Sequence, residues 1–430
     1  RIPTHRRSLE NGELSQGTRT LILNAVYYEE SVSQRGKMGG GMLKNLHGWS
    51  DYEFDEVFTR LRLKTYQIPT GEYQVAGKHP IVDQGKQKIV GYSDRLDPYD
   101  GHPFIIFGDH TCEVKFVDFL TFLGADGTQP LKTSVSCDLR FGFHLLKNVR
   151  LPDLGYSRYF RELKEQVFSL PPLPEQCKIA DILSTWDEAI KTIDALIAAK
   201  DRQKQVLIQQ LLTGKKRLKG YDRSSGKTKS DRFGVYPADW KQVALADIIQ
   251  EVSARNAGGR NLPVLSCTKH RGLVMSQEYF GKRVHAEDTS GYRVVRRGEF
   301  AYATNHIEEG SIGYQNLVDA GLVSPIYTVF KTNGEIDDNY LFRVLKSPLL
   351  IHFYRINTSA SVDRRGSLRY DEFSRIRIWL PSKPEQIAIA AILDTADQEL
   401  TLLRAQRQTL DQQKRGLMQR LLTGKVRVTV

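Results

Sequence analysis

The alternation of apolar and polar positions is most regular in two stretches of the chain that are copies of each other. Apolar residues recur at steps of four and three from Ile179 to Leu211, and the same pattern returns 210 residues further on. Residues 169–220 placed over residues 379–430 give 23 identical residues in 52 positions without a gap. The heptad spacing predicts two long helices that pair as a coiled coil.

Each copy opens on Pro-Glu-Gln, at residues 174–176 and 384–386, and closes on a glycine, Gly214 or Gly424. Proline is favoured in the first turn of a helix and glycine just after its last turn, so each helix should span roughly 36 residues. Four basic residues occupy core positions of the heptads, where they cost stability and are expected to fix the register. They are Lys200, Lys204, Arg407 and Lys414.

The rest of the chain has short apolar runs separated by glycine and aspartate turns, which predict strands. The predicted strands cover residues 73–75, 103–107, 114–119, 167–170, 262–267 and 376–380, and a helix is predicted over 141–147. We therefore predict an α/β (α+β) fold with two globular domains separated by two long helices, an antiparallel coiled coil with a pseudo-twofold repeat. Parallel pairing stays open, because the linker of about 22 residues is long enough for it.

Charge adds a preference for a polyanionic partner. The 430 residues include 62 Lys and Arg against 50 Asp and Glu, a net charge of +12, which supports nucleic-acid binding without requiring it. Four cysteines without a Cys-x-x-Cys pair indicate neither a zinc site nor a disulfide framework. The longest early apolar run, residues 21–28, is too short for a signal core or a membrane span. We expect a soluble, cytoplasmic protein.

The first 41 residues lack a regular pattern and end in three glycines. They are expected to be a tag, upstream translated sequence or a flexible extension, with Met42 as a plausible native start.

Two motifs bear on catalysis, and neither is complete. Asp109, Glu113 and Lys115 are similar to the carboxylate-plus-lysine set of metal-dependent nucleases, but their close spacing favours a polar turn. Residues 220–228 contain Gly, Gly, Lys and Thr with one residue too many between the glycines for a phosphate-binding loop, which favours a linker. We predict no catalytic residue and no metal site in this chain.

Basic and aromatic residues in predicted loops are the candidates for DNA binding, because loop arginines contact guanine edges and lysines bind phosphates. A solvated charged loop is the alternative. The candidates in the second domain are Lys269, His270, Arg271, Arg364, Arg365, Arg369 and Tyr370. Weaker counterparts in the first domain are Lys78, Gln84, Lys86, Lys88, Tyr92 and His110.

These motifs together resemble a known family. The Pro-Glu-Gln opening, the Ile-Ala-x-Ile-Leu segment and the Leu-Leu-Thr-Gly-Lys close, each present twice, are similar to the two conserved helical regions of type I restriction-modification specificity subunits. Residues 264–273, 324–327 and 364–365 resemble one type of target recognition domain in that family, and residues 107–111 and 124–127 resemble another.

The resemblance covers about residues 49–430 and implies a domain order. The implied segments are residues 42–168 (target recognition domain 1), 169–214 (conserved helical region 1), 215–236 (basic linker), 237–378 (target recognition domain 2) and 379–430 (conserved helical region 2).

The resemblance also implies that this chain recognises a bipartite double-stranded DNA target and is not itself catalytic. Two methyltransferase subunits and restriction/translocase subunits would be its partners, and S-adenosylmethionine, ATP and Mg would bind to those partners. Three rival readings remain: an enzyme with its own site, a coiled-coil scaffold, and a standalone DNA-binding protein. Salt-dependent DNA binding would separate the scaffold from the others.

Overall fold

The computed structural model describes residues 48–223, 226–231, 234–358 and 367–429. The chain divides into two units, and each is described by itself. Unit 1 comprises Arg1–Leu196 together with Leu403–Val430, and unit 2 comprises Ile197–Leu402. Both long helices therefore begin in one unit and end in the other.

The described residues form nine α-helices, of which two are long. They are α1 (Phe54–Val57), α2 (Leu139–Asn148), α3 (Phe160–Lys164), α4 (Leu173–Leu212), α5 (Ser276–Phe280), α6 (Asp338–Leu345), α7 (Pro348–Thr358), α8 (Tyr370–Ser374) and α9 (Lys383–Leu421).

Unit 1 contains ten strands within its described part. They are β1 (Ser50–Glu53), β2 (Phe58–Arg60), β3 (Gln67–Ile68), β4 (His79–Val82), β5 (Gly91–Ser93), β6 (Phe104–Gly108), β7 (Val114–Val117), β8 (Phe122–Gly124), β9 (Thr128–Thr133) and β10 (Val167–Leu170). They form two four-stranded sheets, in the orders β2-β9-β6-β7 and β3-β8-β4-β5, and an antiparallel β1-β10 pair. Phe104, Ile106, Val117 and Leu123 form a fully buried cluster of this unit.

Unit 2 contains twelve strands within its described part. They are β11 (Thr228–Asp231), β12 (Gly234–Pro237), β13 (Lys241–Ala244), β14 (Ile249–Val252), β15 (Leu265–Thr268), β16 (Gly272–Met275), β17 (Arg293–Arg296), β18 (Phe300–Ala303), β19 (Ile312–Tyr314), β20 (Ala320–Val323), β21 (Tyr327–Thr332) and β22 (Arg377–Leu380). Its four-stranded sheet has the order β14-β21-β18-β19, and β13-β22, β15-β16, β17-β20 and β11-β12 are pairs.

The two units share one framework despite little sequence similarity between their globular parts. The sheet β2-β9-β6-β7 of unit 1 has the same strand order as β14-β21-β18-β19 of unit 2. In each unit, the strand that opens the globular part pairs with the strand that leads into a long helix, as β1-β10 and as β13-β22. The sequence shows the internal repeat only around the two long helices, but in the structure the repeat includes the globular parts as well.

The long helices contain 40 and 39 residues, slightly more than the predicted 36. They begin at Leu173 and Lys383, one residue before the proline, since the first turn of a helix tolerates a residue without an N–H donor. Their ends at Leu212 and Leu421 fall just before the predicted glycines.

The predicted coiled-coil seam is confirmed. Ile179, Leu183, Ile193, Leu400 and Leu410 are among its buried members, and every other predicted seam position is buried or half-buried. The heptad pattern therefore identified the packed face of each helix.

Pairing is antiparallel in both units. In unit 1, Arg407 Nε lies 3.1 Å from the Asp194 carboxylate, and further along the helix Lys414 Nζ lies 2.5 Å from Asp187. The contacting residues of α4 decrease in number as those of α9 increase, so the two helices run antiparallel.

Unit 2 shows the same direction and the same use of basic seam residues. Lys200 Nζ lies 2.7 Å from Glu399, and Lys204 pairs with Asp397. All four basic seam residues thus meet a carboxylate of the other helix, as a role in fixing the register requires. Burial lowers the pKa of Lys414, the most enclosed of the four.

Most predicted strands and the short helix are confirmed, with one exception. The strand over residues 73–75 is wrong: only Gln74 forms an isolated bridge, with Tyr92. Val75 is 99% exposed, so it has no sheet face to pack on. The first 41 residues lie outside the described part of the chain. No helix within that part has the length and apolar character needed to cross a membrane.

Candidate nucleic-acid interface

The repeated glutamine fixes each globular part to the start of a long helix. In unit 1, the Gln176 side chain accepts a hydrogen bond from the backbone N–H of Asp138 at 2.9 Å and donates to Pro171 O at 2.8 Å. Gln386 does the same in unit 2, with Asp337 N at 2.9 Å and Pro381 O at 3.0 Å. The aspartates cap helices α2 and α6, so each glutamine connects two helix starts.

The repeated glutamate pairs with an arginine that follows the end of the other long helix. Glu175 accepts two hydrogen bonds at 2.7 Å from Arg427 in unit 1. Glu385 accepts bonds of 2.8 and 2.9 Å from Arg217 in unit 2. Burial alone would lower the pKa of Arg217, but its bonds to Asp239 and Glu385 raise that pKa. Arg217 was predicted as part of a basic linker, yet its charge is used inside the unit.

The candidate surface of unit 1 is built from two loops that Gln84 joins. Gln84 lies in the loop between β4 and β5, and its side-chain oxygen accepts a hydrogen bond from the His110 N–H at 3.0 Å. Its backbone oxygen accepts one from the Thr111 hydroxyl at 2.5 Å. A Cβ at Gly108 would lie 2.7 Å from that oxygen, and one at Gly127, where φ is +61°, 2.4 Å from the Gln84 amide. The two glycine-containing motifs of this domain thus enclose Gln84, which has a positioning role.

A buried lysine holds the same loop from below. Lys115 Nζ donates to Asp83 O at 2.7 Å and to Gln87 O at 2.5 Å, and lies 3.6 Å from the Asp83 carboxylate. Burial lowers the pKa of Lys115, although Asp83 acts in the opposite direction. Lys86 and Lys88 are exposed on this anchored loop.

His110 is half-buried and stacks on an exposed tyrosine. Its ring is parallel to that of Tyr156, with 5.0 Å between centroids, and its Nδ1 lies 2.9 Å from Ser157 O. Tyr156 is largely exposed. An exposed ring that is held by stacking in this way can contact bases or sugars.

The remaining predicted DNA-binding residues of unit 1 differ in exposure and in their partners. Lys78 is exposed, and its backbone N–H donates to Asp94 at 2.9 Å. Lys88 lies 3.5 Å from the exposed Asp118 carboxylate, which partly balances its charge. Tyr92 is a half-buried residue of β5 whose backbone pairs with Gln74. The structure favours a structural role for Tyr92.

The candidate surface of unit 2 centres on the turn between β15 and β16. Lys269, His270 and Arg271 are all exposed there. Lys346 Nζ donates to three backbone oxygens beneath the turn: Thr268 O at 3.1 Å, Lys269 O at 2.8 Å and Gly310 O at 2.8 Å. Burial lowers the pKa of Lys346 to about 8. Each unit therefore has a lysine, buried in unit 1 and half-buried in unit 2, that anchors a candidate DNA-binding loop.

The second predicted loop of unit 2 is only partly described. Arg364 and Arg365 lie outside the described residues, and Arg369 is exposed just before α8. Tyr370 begins α8 and is half-buried; its hydroxyl donates to Ile249 O at 3.3 Å. The structure thus favours a packing role for Tyr370.

The incomplete nuclease set does not converge. Asp109 accepts a hydrogen bond from Phe160 N at 2.8 Å and one from the Gln129 amide, whereas Lys115 binds the 83–87 loop. Within the described chain, His306, Glu308 and Glu309 bring possible metal ligands within 4.8 Å of one another. This group is largely exposed and has no further feature of a metal site, so we assign it no ion.

Sequence reasoning missed several residues of this surface. Lys346 and Arg427 act on partners dozens to hundreds of residues away, so no local pattern reveals them. Three exposed aromatic residues could have been recognised in the sequence: Tyr156 in unit 1, and the consecutive Tyr279 and Phe280 in unit 2. Each lies close to glycine and basic residues, a composition typical of binding loops.

Comparison with known proteins agrees with this architecture. A family described as "Type I restriction modification DNA specificity domain" matches residues 47–199. Two relatives from Methanocaldococcus jannaschii are type I restriction enzyme specificity subunits by name: MjaX, 26% identical over 284 residues, and MjaVIII, 26% identical over 280. These matches cover 62% and 60% of this chain but only 61% and 62% of the relatives.

A solved structure supports the fold. The S subunit of a type I restriction-modification system from M. genitalium aligns with a TM-score of 0.57 at 16% identity, covering 89% of this chain and 98% of that one. This likeness, at 16% identity, concerns the fold. Residues 47–199 match the model of this DNA specificity domain, and over about 60% of its length the chain is similar to type I restriction enzyme specificity subunits.

Proposed function

We infer that this chain is the DNA-recognition subunit of a type I restriction-modification complex and reads a bipartite double-stranded DNA target. The observation that carries the proposal is the duplicated framework, in which each unit presents one basic loop anchored by a lysine that donates to backbone carbonyls. Two similar readers in one chain suit a target made of two half-sites. Lysine and arginine on such loops bind phosphates and base edges.

Catalysis is proposed to belong to partner subunits. Two methyltransferase subunits would bring S-adenosylmethionine, and restriction/translocase subunits would bring ATP and Mg. Exposed apolar side chains on the long helices, including Val206, Ile387 and Leu402, suit the docking of such partners. The chain's own role is to bind DNA and to direct these subunits to it.

Methylation mapping tests this proposal. The chain is co-expressed with the methyltransferase subunit of its host, and modified bases are sequenced across a genome that lacks other modification systems. We expect modification at a split sequence with two defined halves and an undefined spacer. Modification of a continuous site would contradict bipartite reading, and modification that is independent of this chain would contradict its role in specificity.

The absence of catalysis has its own test. The purified chain, free of partner subunits, is incubated with DNA, S-adenosylmethionine, ATP and Mg. We expect neither methyl transfer, strand cleavage nor ATP hydrolysis. Turnover that co-purifies with the chain through successive columns would overturn this part of the proposal.

A further inference from the structure

A protruding aromatic pair follows the candidate reading turn of unit 2. Tyr279 and Phe280 close the short helix α5, which begins directly after β16. Their rings meet edge to face with 5.0 Å between centroids, and they are 47% and 46% exposed. Neighbouring helix residues point about 100° apart, so a helix lying flat on a core would bury one of the two. Both rings are half exposed, which means that this turn presents both to solvent.

The base of this turn is fixed. Ser276, the first residue of α5, is buried, and its hydroxyl lies 3.0 Å from that of Ser266. Leu265 and Leu273 anchor the β15-β16 hairpin in a buried cluster. At the other end, Gly281 adopts a φ of +64° and its N–H donates to Gln277 O at 3.0 Å, which stops the helix directly after Phe280. The backbone that carries the aromatic pair is therefore fixed at both ends.

Positive charge surrounds the pair. The Arg271 guanidinium lies 5.8 Å from the centre of the Tyr279 ring, which joins the pair to the candidate reading turn. Lys282 and Arg283 follow it and are exposed. Between residues 269 and 285, four Lys and Arg face one acidic residue, Glu278. The ion pair of Arg283 with Glu287 is long, at 3.8 Å, and exposed, so it leaves that cation available.

An exposed apolar patch rimmed by polar groups marks an interaction surface. A positive rim selects a polyanion, and the flat faces of nucleobases match exposed aromatic rings. We propose that Tyr279 and Phe280 form a wedge that packs against the bases and sugars of duplex DNA, while Lys282 and Arg283 bind the neighbouring phosphates. The inference rests on the proposed function and adds to it a contact that does not depend on charge. Apolar wedges of this kind unstack a base step and bend the duplex.

The two parts of this surface respond differently to salt, which gives a direct test. Affinity of the full chain is measured by fluorescence anisotropy at several salt concentrations, on a duplex with the mapped target and on a mixed-sequence duplex. Tyr279→Ala with Phe280→Ala should weaken target binding roughly tenfold without changing the slope of log affinity against log salt. Lys282→Ala with Arg283→Ala should flatten that slope by about 2, since each lost phosphate contact removes about 0.9.

Two further variants control for folding and for loss of apolar surface. Leu317→Ala removes a side chain that is 44% exposed elsewhere in unit 2 and should bind as the wild type does. Phe280→Trp should retain affinity. The chain has four native tryptophans, so the emission of the variant is compared with that of the wild type, and target DNA should shield the added emission from acrylamide quenching because the new ring stacks where Phe280 did.

Several outcomes would overturn the wedge. Wild-type affinity in the double aromatic variant, or no shielding of the tryptophan, would show that the rings do not touch DNA. Unchanged DNA binding with lost capture of the methyltransferase subunit would assign the patch to a protein partner instead. If the wild-type chain binds neither duplex, the proposed function itself is contradicted. If the wild type binds and the double aromatic variant has the same affinity, only the wedge is contradicted.

Discussion

The two units repeat one framework but place different side chains beside an equivalent, partly exposed carboxylate. His144 in unit 1 and Arg343 in unit 2 stand six residues after the aspartate that caps their helix. His144 Nδ1 lies 3.9 Å from Asp187, whereas Arg343 pairs directly with Asp397, the repeat equivalent of Asp187.

The equivalent seam lysine pairs with this carboxylate in both units, as Lys414 with Asp187 and as Lys204 with Asp397. The difference therefore lies in the short helix, which adds a second cation, Arg343, in unit 2 alone. Asp187 is neutralised by Lys414 at 2.5 Å, so unit 1 tolerates an uncharged histidine beside it. Burial, followed by the nearby Lys414 charge, lowers the pKa of His144 to about 3. The long helix thus supplies a partner for the carboxylate in both units, and the globular part of unit 2 supplies a second one.

The largest expected effect concerns the equivalent pairs Glu385–Arg217 and Glu175–Arg427. The Arg217 side chain is 10% exposed and that of Arg427 is 40% exposed. Arg217→Met leaves Glu385 buried without its cation and should cost about 3–5 kcal/mol of unfolding free energy. Arg427→Met should cost less than half of that, because solvent reaches its site. Urea denaturation of both variants measures the two losses, and equal losses would show that the pairs are energetically equivalent.

A smaller effect is expected on the pH dependence of stability, to which His144 of unit 1 contributes and Arg343 of unit 2 does not. Because the pKa of folded His144 is about 3 and its ordinary value is 6.5, the unfolded chain binds a proton between these values and the folded chain does not. Stability is therefore lost as pH falls below 6.5, by about 2 kcal/mol at pH 5 from this residue.

Urea denaturation at pH 7 and pH 5 tests this difference. His144→Leu should remove that part of the pH dependence. Arg343→Leu, the matched change in unit 2, removes a group that does not titrate in this range and should leave the dependence unchanged. An unaltered pH dependence in His144→Leu would mean that His144 already binds a proton in the folded chain.

The smallest predicted effect is on the anchored loops. Lys346→Met removes the donor for three carbonyls beneath the 269–271 turn. We expect faster amide hydrogen exchange in this turn and roughly tenfold weaker target binding. That loss of affinity corresponds to the binding free energy of about one base contact. Lys331→Met, an exposed lysine of the same unit, is the control. Unchanged exchange in the turn would contradict the anchoring role.

The helices were predictable because their signal is local. Every seam position from Ile179 to Leu211 follows from spacing alone, and the repeat located both helix ends to within a few residues. The pairing direction was not fixed by spacing, since it depends on cross-helix contacts such as Arg407 with Asp194. The misassigned strand at residues 73–75 had suitable residue types but no sheet to join.

The candidate site was predictable only as loops. The turn at Lys269–Arg271 is exposed as expected, whereas Tyr370 packs inward on Ile249, because an aromatic residue in a sequence can serve either a core or a surface. Lys115 and Lys346 anchor their loops by donating to backbone carbonyls that folding brings together. Because every residue has such a carbonyl, the amino-acid sequence does not indicate which ones a lysine will contact.

The central claim is that each unit reads one half of a split target. Its most direct test is methylation mapping with reciprocal loop variants, Lys86→Ala with His110→Ala in unit 1 and Lys269→Ala with Arg271→Ala in unit 2, each co-expressed with the methyltransferase subunit. If each unit reads one half, each variant should relax the sequence of a different half-site and leave the other half and the spacer as in the wild type. Relaxation of both halves by one variant, or of the same half by both variants, would contradict it.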